Sequence, residues 1–144
     1  MKIKGKIQKG LGKASLCTIP LQKPFLKKYI PNIDAYYNGT INLLLESPLV
    51  IYSPDIKTPP INWLKTSNEK DSEEFGFLKI QFETIPTLSN MPIDALIYIP
   101  YRSPHYANPF YKEILAPYIN LNGVEYCNII INKKMREITG FVIE

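Results

Sequence analysis

The stretch Lys2-Ile3-Lys4-Gly5-Lys6-Ile7-Gln8 alternates strictly, with Ile3, Gly5 and Ile7 on one side and lysines on the other. A period of two marks a strand with one dry and one wet face, so the chain opens in β structure. Directly after it comes Gly10-Leu11-Gly12, where the backbone can bend sharply and bring bare N–H groups to the surface. A second strand is expected over residues 14–19, stopped by Pro20.

Working outward, 13 prolines and 10 tyrosines among 144 residues favour short strands cut by turns over long helices. Residues 21–29 read as a short helix with Phe25 and Leu26 inward, ended by Pro31. Strands are expected over residues 40–45, around 49–52, over 75–84 and over 94–100. In the last of these Leu96 and Tyr98 share one face and Ile97 and Ile99 the other. Residues 53–72 are polar and proline-bearing and read as a long mobile loop. Trp63 within it is either a tether to the core or a stacking surface for a ligand. Asn108 is a good N-cap and Pro109 a favoured first helical residue, so residues 110–115 read as a second short helix. Closing strands follow over 124–131 and 138–143. No repeat and no linker interrupts the chain, and residues 1–144 read as a single mainly-β domain with one or two short helices.

Hydrophobic residues make up 45% and charged residues 21%, the balance of a folded domain and not of a disordered chain. No apolar run approaches the roughly 20 residues that span a bilayer, and the lysine-rich start does not build a signal-peptide core. A soluble cytoplasmic protein without a membrane partner is expected. Cys17 and Cys127 each sit in an apolar stretch and match no metal-binding spacing, which suggests two buried free thiols. The net charge of +4 gathers at one end: Lys2, Lys4, Lys6, Lys9, Lys13, Lys23, Lys27 and Lys28 all precede the first acid, Asp34. Such a stretch can face phosphate, in nucleic acid or in a nucleotide, or it can be a solvated strand face. The chain has no RNP-type aromatic motif, zinc finger or helix-turn-helix pattern to favour nucleic acid.

Three local features carry chemistry. Gly10-Leu11-Gly12-Lys13 can aim backbone N–H groups at phosphate oxygens, or it is a plain hairpin turn. It is not a Walker loop, which would need glycine where Ile7 stands and Ser or Thr where Ala14 stands. In Gly39-Thr40-Ile41-Asn42 the two-residue period puts the Thr40 hydroxyl and the Asn42 amide on one side of a strand. Two neutral oxygens so placed can hold one side of a magnesium ion whose other ligands are phosphate and water, or they are simply exposed polar residues. The third feature is residues 103–117, SPHYANPFYKEILAP, which pack a hydroxyl, an imidazole, aromatics and Glu113 into one segment suited to a flat polar ring. His105, the only histidine, tempts a general-base role, although a lone loop histidine is more often structural.

Together these motifs, in this order and spacing, resemble the CTP-dependent riboflavin kinases of archaeal type. The matching runs are Gly10-Leu11-Gly12-Lys13-Ala14-Ser15, Gly39-Thr40-Ile41-Asn42, residues 92–100 (PIDALIYIP) and Glu113-Ile114-Leu115-Ala116-Pro117. The resemblance implies a compact six-stranded β-barrel of the cradle-loop kind, working as a monomer. It implies riboflavin and CTP as substrates, FMN and CDP as products, and one Mg²⁺ ion. Carried over by position, Gly10, Leu11, Gly12, Lys13, Ala14 and Ser15 line the nucleotide, with Tyr118, Ile119, Asn120 and Leu121 bordering it. Thr40 and Asn42 ligate the metal and act through it, while Ser103 and Glu113 contact the flavin; a direct catalytic part for Glu113 is an open option. The chain departs from the family pattern at Ala14, where a glycine is usual, and in the short run after Pro117. These departures define one rival, a flavin- or nucleotide-binding barrel without catalysis. A basic barrel that binds nucleic acid is the other.

Overall fold

The computed structural model describes residues 1–8, 13–102 and 108–132, with the backbone alone at residues 13–17 and 69. The first strand, β1 (Lys2–Gln8), forms as its alternation requires: Ile3 and Gly5 are buried, and Lys2, Lys4 and Lys6 are exposed. A helix, α1 (Lys13–Leu26), follows. The remaining strands are β2 (Ile41–Leu45), β3 (Ile56–Lys57), β4 (Phe75–Ile85), β5 (Ile93–Pro100), β6 (Tyr111–Leu115) and β7 (Tyr126–Ile130).

All seven strands lie in one antiparallel sheet, ordered β3-β4-β5-β6-β2-β1-β7. In addition β7 pairs back onto β4, so that six strands form a ring of hydrogen-bonded pairings. The 11 residues of β4 make this possible, because it pairs β3 at Gly76 and Phe77 and β7 from Gln81 to Ile85. One cluster of buried side chains includes Leu43, Leu78, Phe82, Ile97, Ile114 and Ile129. A second, on the other face of β4, β5 and β6, joins Phe75, Phe77, Leu96, Tyr98 and Leu115 to Ile19 and Leu26 of α1. The expected division of β5 therefore holds, with Leu96 and Tyr98 in one cluster and Ile97 and Ile99 in the other. Burial on both faces explains why residues 75–78 of β4 and 95–99 of β5 lack a wet side.

Two expected elements are corrected. Residues 14–19 are helical, not extended, and the helix runs on past Pro20 and Pro24 to Leu26. Each proline removes one N–H from the ladder and would ordinarily break a helix. Here Ile19, Gln22 and Leu26, at helical spacing, are all buried beneath the sheet, and that packing outweighs the lost bonds. The expected helix over residues 110–115 is instead a turn residue, Phe110, followed by strand β6. Asn108 does cap a turn, since its Oδ1 accepts from the Phe110 N–H at 2.9 Å. The chain then extends because β2 and β5 offer backbone partners on both sides.

Smaller differences concern the count and the loop. The seventh strand, β3, lies within the expected loop 53–72, together with a 3-10 turn (Glu69–Asp71) and a bridge between Ile61 and Glu73. Leu49 and Ile51 are buried as a strand's would be, but residues 49–52 form no ladder. The closing strand over 138–143 lies outside the described residues, as do Gly10 to Gly12, Ser103 and His105. Among the described residues, no helix is long and apolar enough to cross a membrane. Cys127 is a buried free thiol, while the Cys17 side chain is not described.

Candidate functional site

Register alone assembles the site. Cα partners run Gln8 to Asn42, Asn42 to Glu113, Glu113 to Tyr98 and Tyr98 to Phe77, which makes one row across four neighbouring pairings on one face of the sheet. Helix α1 covers the aromatic end of this row, where the Tyr98 hydroxyl donates to Gln22 Oε1 at 2.6 Å. The other end, beyond the helix, carries Gln8, Asn42 and Glu113. These stay partly open to solvent, with Gln8 exposed and the other two half-buried.

At that open end the Thr40 hydroxyl lies 3.0 Å from Asn42 Oδ1 and 3.4 Å from Glu113 Oε1, and it can donate to either. Thr40 and Asn42 thus share a side of the chain, as their spacing requires, while Ile41 and Leu43 turn into the core. Glu113 comes from β6, far off in sequence. Among the described residues no three His, Cys, Asp or Glu side chains cluster as a metal site. The Thr40 hydroxyl and the Asn42 amide offer a different donor set, two neutral hard oxygens, with the Glu113 carboxylate beside them. That set fits Mg²⁺, which binds few protein groups and completes its octahedron with water and phosphate.

Two cavities meet at Thr40. The first, about 270 Å³, is lined by Gln8, Tyr37, Gly39, Thr40, Asn42 and the turn that carries Pro117, Tyr118, Ile119 and Leu121. The Tyr37 N–H donates to the Ala116 carbonyl at 2.8 Å, which holds Tyr37 beside Tyr118 with ring centroids 5.4 Å apart. Both rings are largely exposed at the rim, Tyr118 at 70%. Asn120 does not line this cavity; its Oδ1 accepts from the Asn122 N–H at 3.1 Å and shapes the turn.

The second cavity, about 290 Å³, is lined by Thr18, Gln22, Thr40, Trp63, Glu73, Tyr98, Arg102 and Glu113. Glu73 organises its far wall, accepting from Trp63 Nε1 at 3.3 Å and from the Arg102 N–H at 3.1 Å. Trp63 packs against the second apolar cluster, as a tether to the core would, and it also lines this cavity. Burial chiefly pushes the Tyr98 hydroxyl well above the ordinary range, with the Glu113 and Glu73 charges adding to it against the Gln22 bond. Burial and then the Glu113 charge push Tyr111 up to about 12. Tyr98 is therefore a neutral donor at neutral pH.

The glycine segment lies outside the described residues, but its flanks are placed. Gln8 pairs with Asn42, and Lys13 begins α1, with Ala14 and Ser15 in its first turn. The start of a 14-residue helix is a place where free backbone N–H groups and the helix dipole favour an anion. Sequence reasoning missed Gln22, Glu73, Tyr98, Arg102 and Tyr37. Only Gln22 left a signal, a lone amide in the apolar stripe Ile19, Gln22, Leu26.

Three lysines of the basic stretch have acidic partners among the described residues. Lys2 lies 3.0 Å from Glu83, Lys4 3.9 Å from Glu46, and Lys27 3.0 Å from Asp34. The bond from Lys2 holds the Glu83 carboxyl below its usual range, with the Asn128 amide adding to the effect. No protein-family model matches the chain, and no curated protein matches it in sequence.

Proposed function

We propose that the chain is a magnesium-dependent riboflavin kinase, moving the terminal phosphoryl group of CTP to the ribityl 5′-hydroxyl and releasing FMN and CDP. The ring of strands is then a six-stranded barrel of the riboflavin-kinase, cradle-loop kind, with β3 added outside it. The protein works as a cytoplasmic monomer in this reading. The observation that carries it is Thr40, whose hydroxyl stands on the wall common to both cavities, beside Asn42 on one side and Glu113 on the other. In-line phosphoryl transfer requires a donor and an acceptor pocket that meet at a cation site.

Each residue then has a task. Thr40 and Asn42 would hold the cation, which would supply positive charge to offset that of the phosphate oxygens. Backbone N–H groups at the start of α1, with the glycine run before it, receive the nucleotide phosphates, and Tyr37 and Tyr118 border the base. Trp63 offers its face to the flavin ring while Arg102 and Glu73 present polar edges. Glu113 accepts a hydrogen bond from the acceptor hydroxyl and orients it. Phosphoryl transfer asks chiefly for alignment and charge neutralisation, so a strong base is not compulsory.

The test is product formation. Incubated with riboflavin, Mg²⁺ and CTP or ATP, the protein should form FMN with the matching nucleoside diphosphate, faster with CTP. Riboflavin binding by calorimetry without FMN from either triphosphate would reduce the protein to a non-catalytic binder.

A further inference from the structure

A third cavity, of about 310 Å³, shares Tyr98, Pro100 and Glu113 with the second but is not lined by Thr40, and its other walls include Leu49, Ile51, Ile97, Ile99, Pro109 and Lys112. Lys112 is out of character there. It pairs with Leu43 and shares the inward side of β6 with Ile114, and it is 8% exposed. Its Nζ donates to the carbonyls of Tyr111, Pro109 and Asn108 at 3.2, 3.3 and 3.4 Å. These bonds lie at or beyond the usual N–H···O range, and carbonyl dipoles do not cancel a charge. Among the described residues, no carboxylate lies within ion-pair distance of Lys112. Glu113, also at the cavity edge, sends its carboxylate toward Thr40 instead.

A buried cation without a countercharge is costly in an apolar wall. The group that would relieve the cost and fill the cavity at once is an anion with an apolar body. We propose that this cavity binds a small aliphatic carboxylic acid, with its chain among Leu49, Ile51, Ile97 and Ile99 and its carboxylate on Lys112 Nζ. A volume near 300 Å³ is at the small end for ligand sites and suits such a molecule. Burial holds Lys112 down at about 8, still largely protonated at neutral pH, as the ion pair needs. The inference is independent of the kinase reading.

The experiment is calorimetric titration of the full chain at pH 7 with octanoate and with octan-1-ol, which shares its chain but lacks the charge. Octanoate should bind at least about tenfold more tightly, the value of a charge-assisted bond. Lys112→Met, with its fold checked by circular dichroism, should lose that preference. Equal affinity for the two probes, no binding of octanoate, or an unchanged preference in Lys112→Met would each overturn the proposal.

Discussion

Asn42 contributes a half-buried amide to the surface of β2, and its Oδ1 accepts from Thr40. Removing it deletes no core volume, so Asn42→Ala should change unfolding stability by less than about 1 kcal/mol. If its oxygen holds the cation, magnesium-dependent FMN formation should fall by about a hundredfold. Turnover equal to wild type would remove the metal role. Lys112 yields a prediction of opposite kind. Its folded value of about 8 lies below the ordinary 10.5, and between those values the unfolded chain binds more protons. Stability therefore rises with pH across that window, and the full cost of the buried charge is felt below it. Lys112→Met should accordingly gain more stability at pH 7 than at pH 10.5, by about 3 kcal/mol. Urea unfolding of both proteins at the two pH values measures the difference, and a gain independent of pH would contradict the shift.

At the scale of elements, α1 matters most, because it seals one face of β4, β5 and β6 and forms one wall of the second cavity. Its docking includes a buried polar pair, Gln22 to Tyr98. Gln22→Leu should cost about 1–3 kcal/mol by leaving the tyrosine hydroxyl without a partner. Gln22→Leu combined with Tyr98→Phe should recover most of that loss in a urea-unfolding cycle, and strict additivity of the two changes would show that the pair is not coupled. The same helix marks where local reading fails. Pro20 is a sound local stop signal, yet the apolar stripe of Ile19 and Leu26 is satisfied only against Phe75 and Leu115, residues distant in sequence. Strand β6 fails in the reverse direction: Asn108 starts a turn as expected, but two flanking strands then draw residues 111–115 into the sheet.

At the scale of the molecule, the return of β7 to β4 brings distant segments into one ring. The sequence by itself determined the alternating strands β1, β2 and β5, the two faces of β5, and the shared side of Thr40 and Asn42. Each follows from a period of two, which needs no knowledge of a partner. Tertiary structure alone decided that Glu113 joins Thr40, that two cavities meet there, that Lys112 points inward, and that residues 14–19 coil and 111–115 extend. Those outcomes depend on which backbone and which apolar surface lie opposite a segment, and strand register across the ring, not local preference, supplies them.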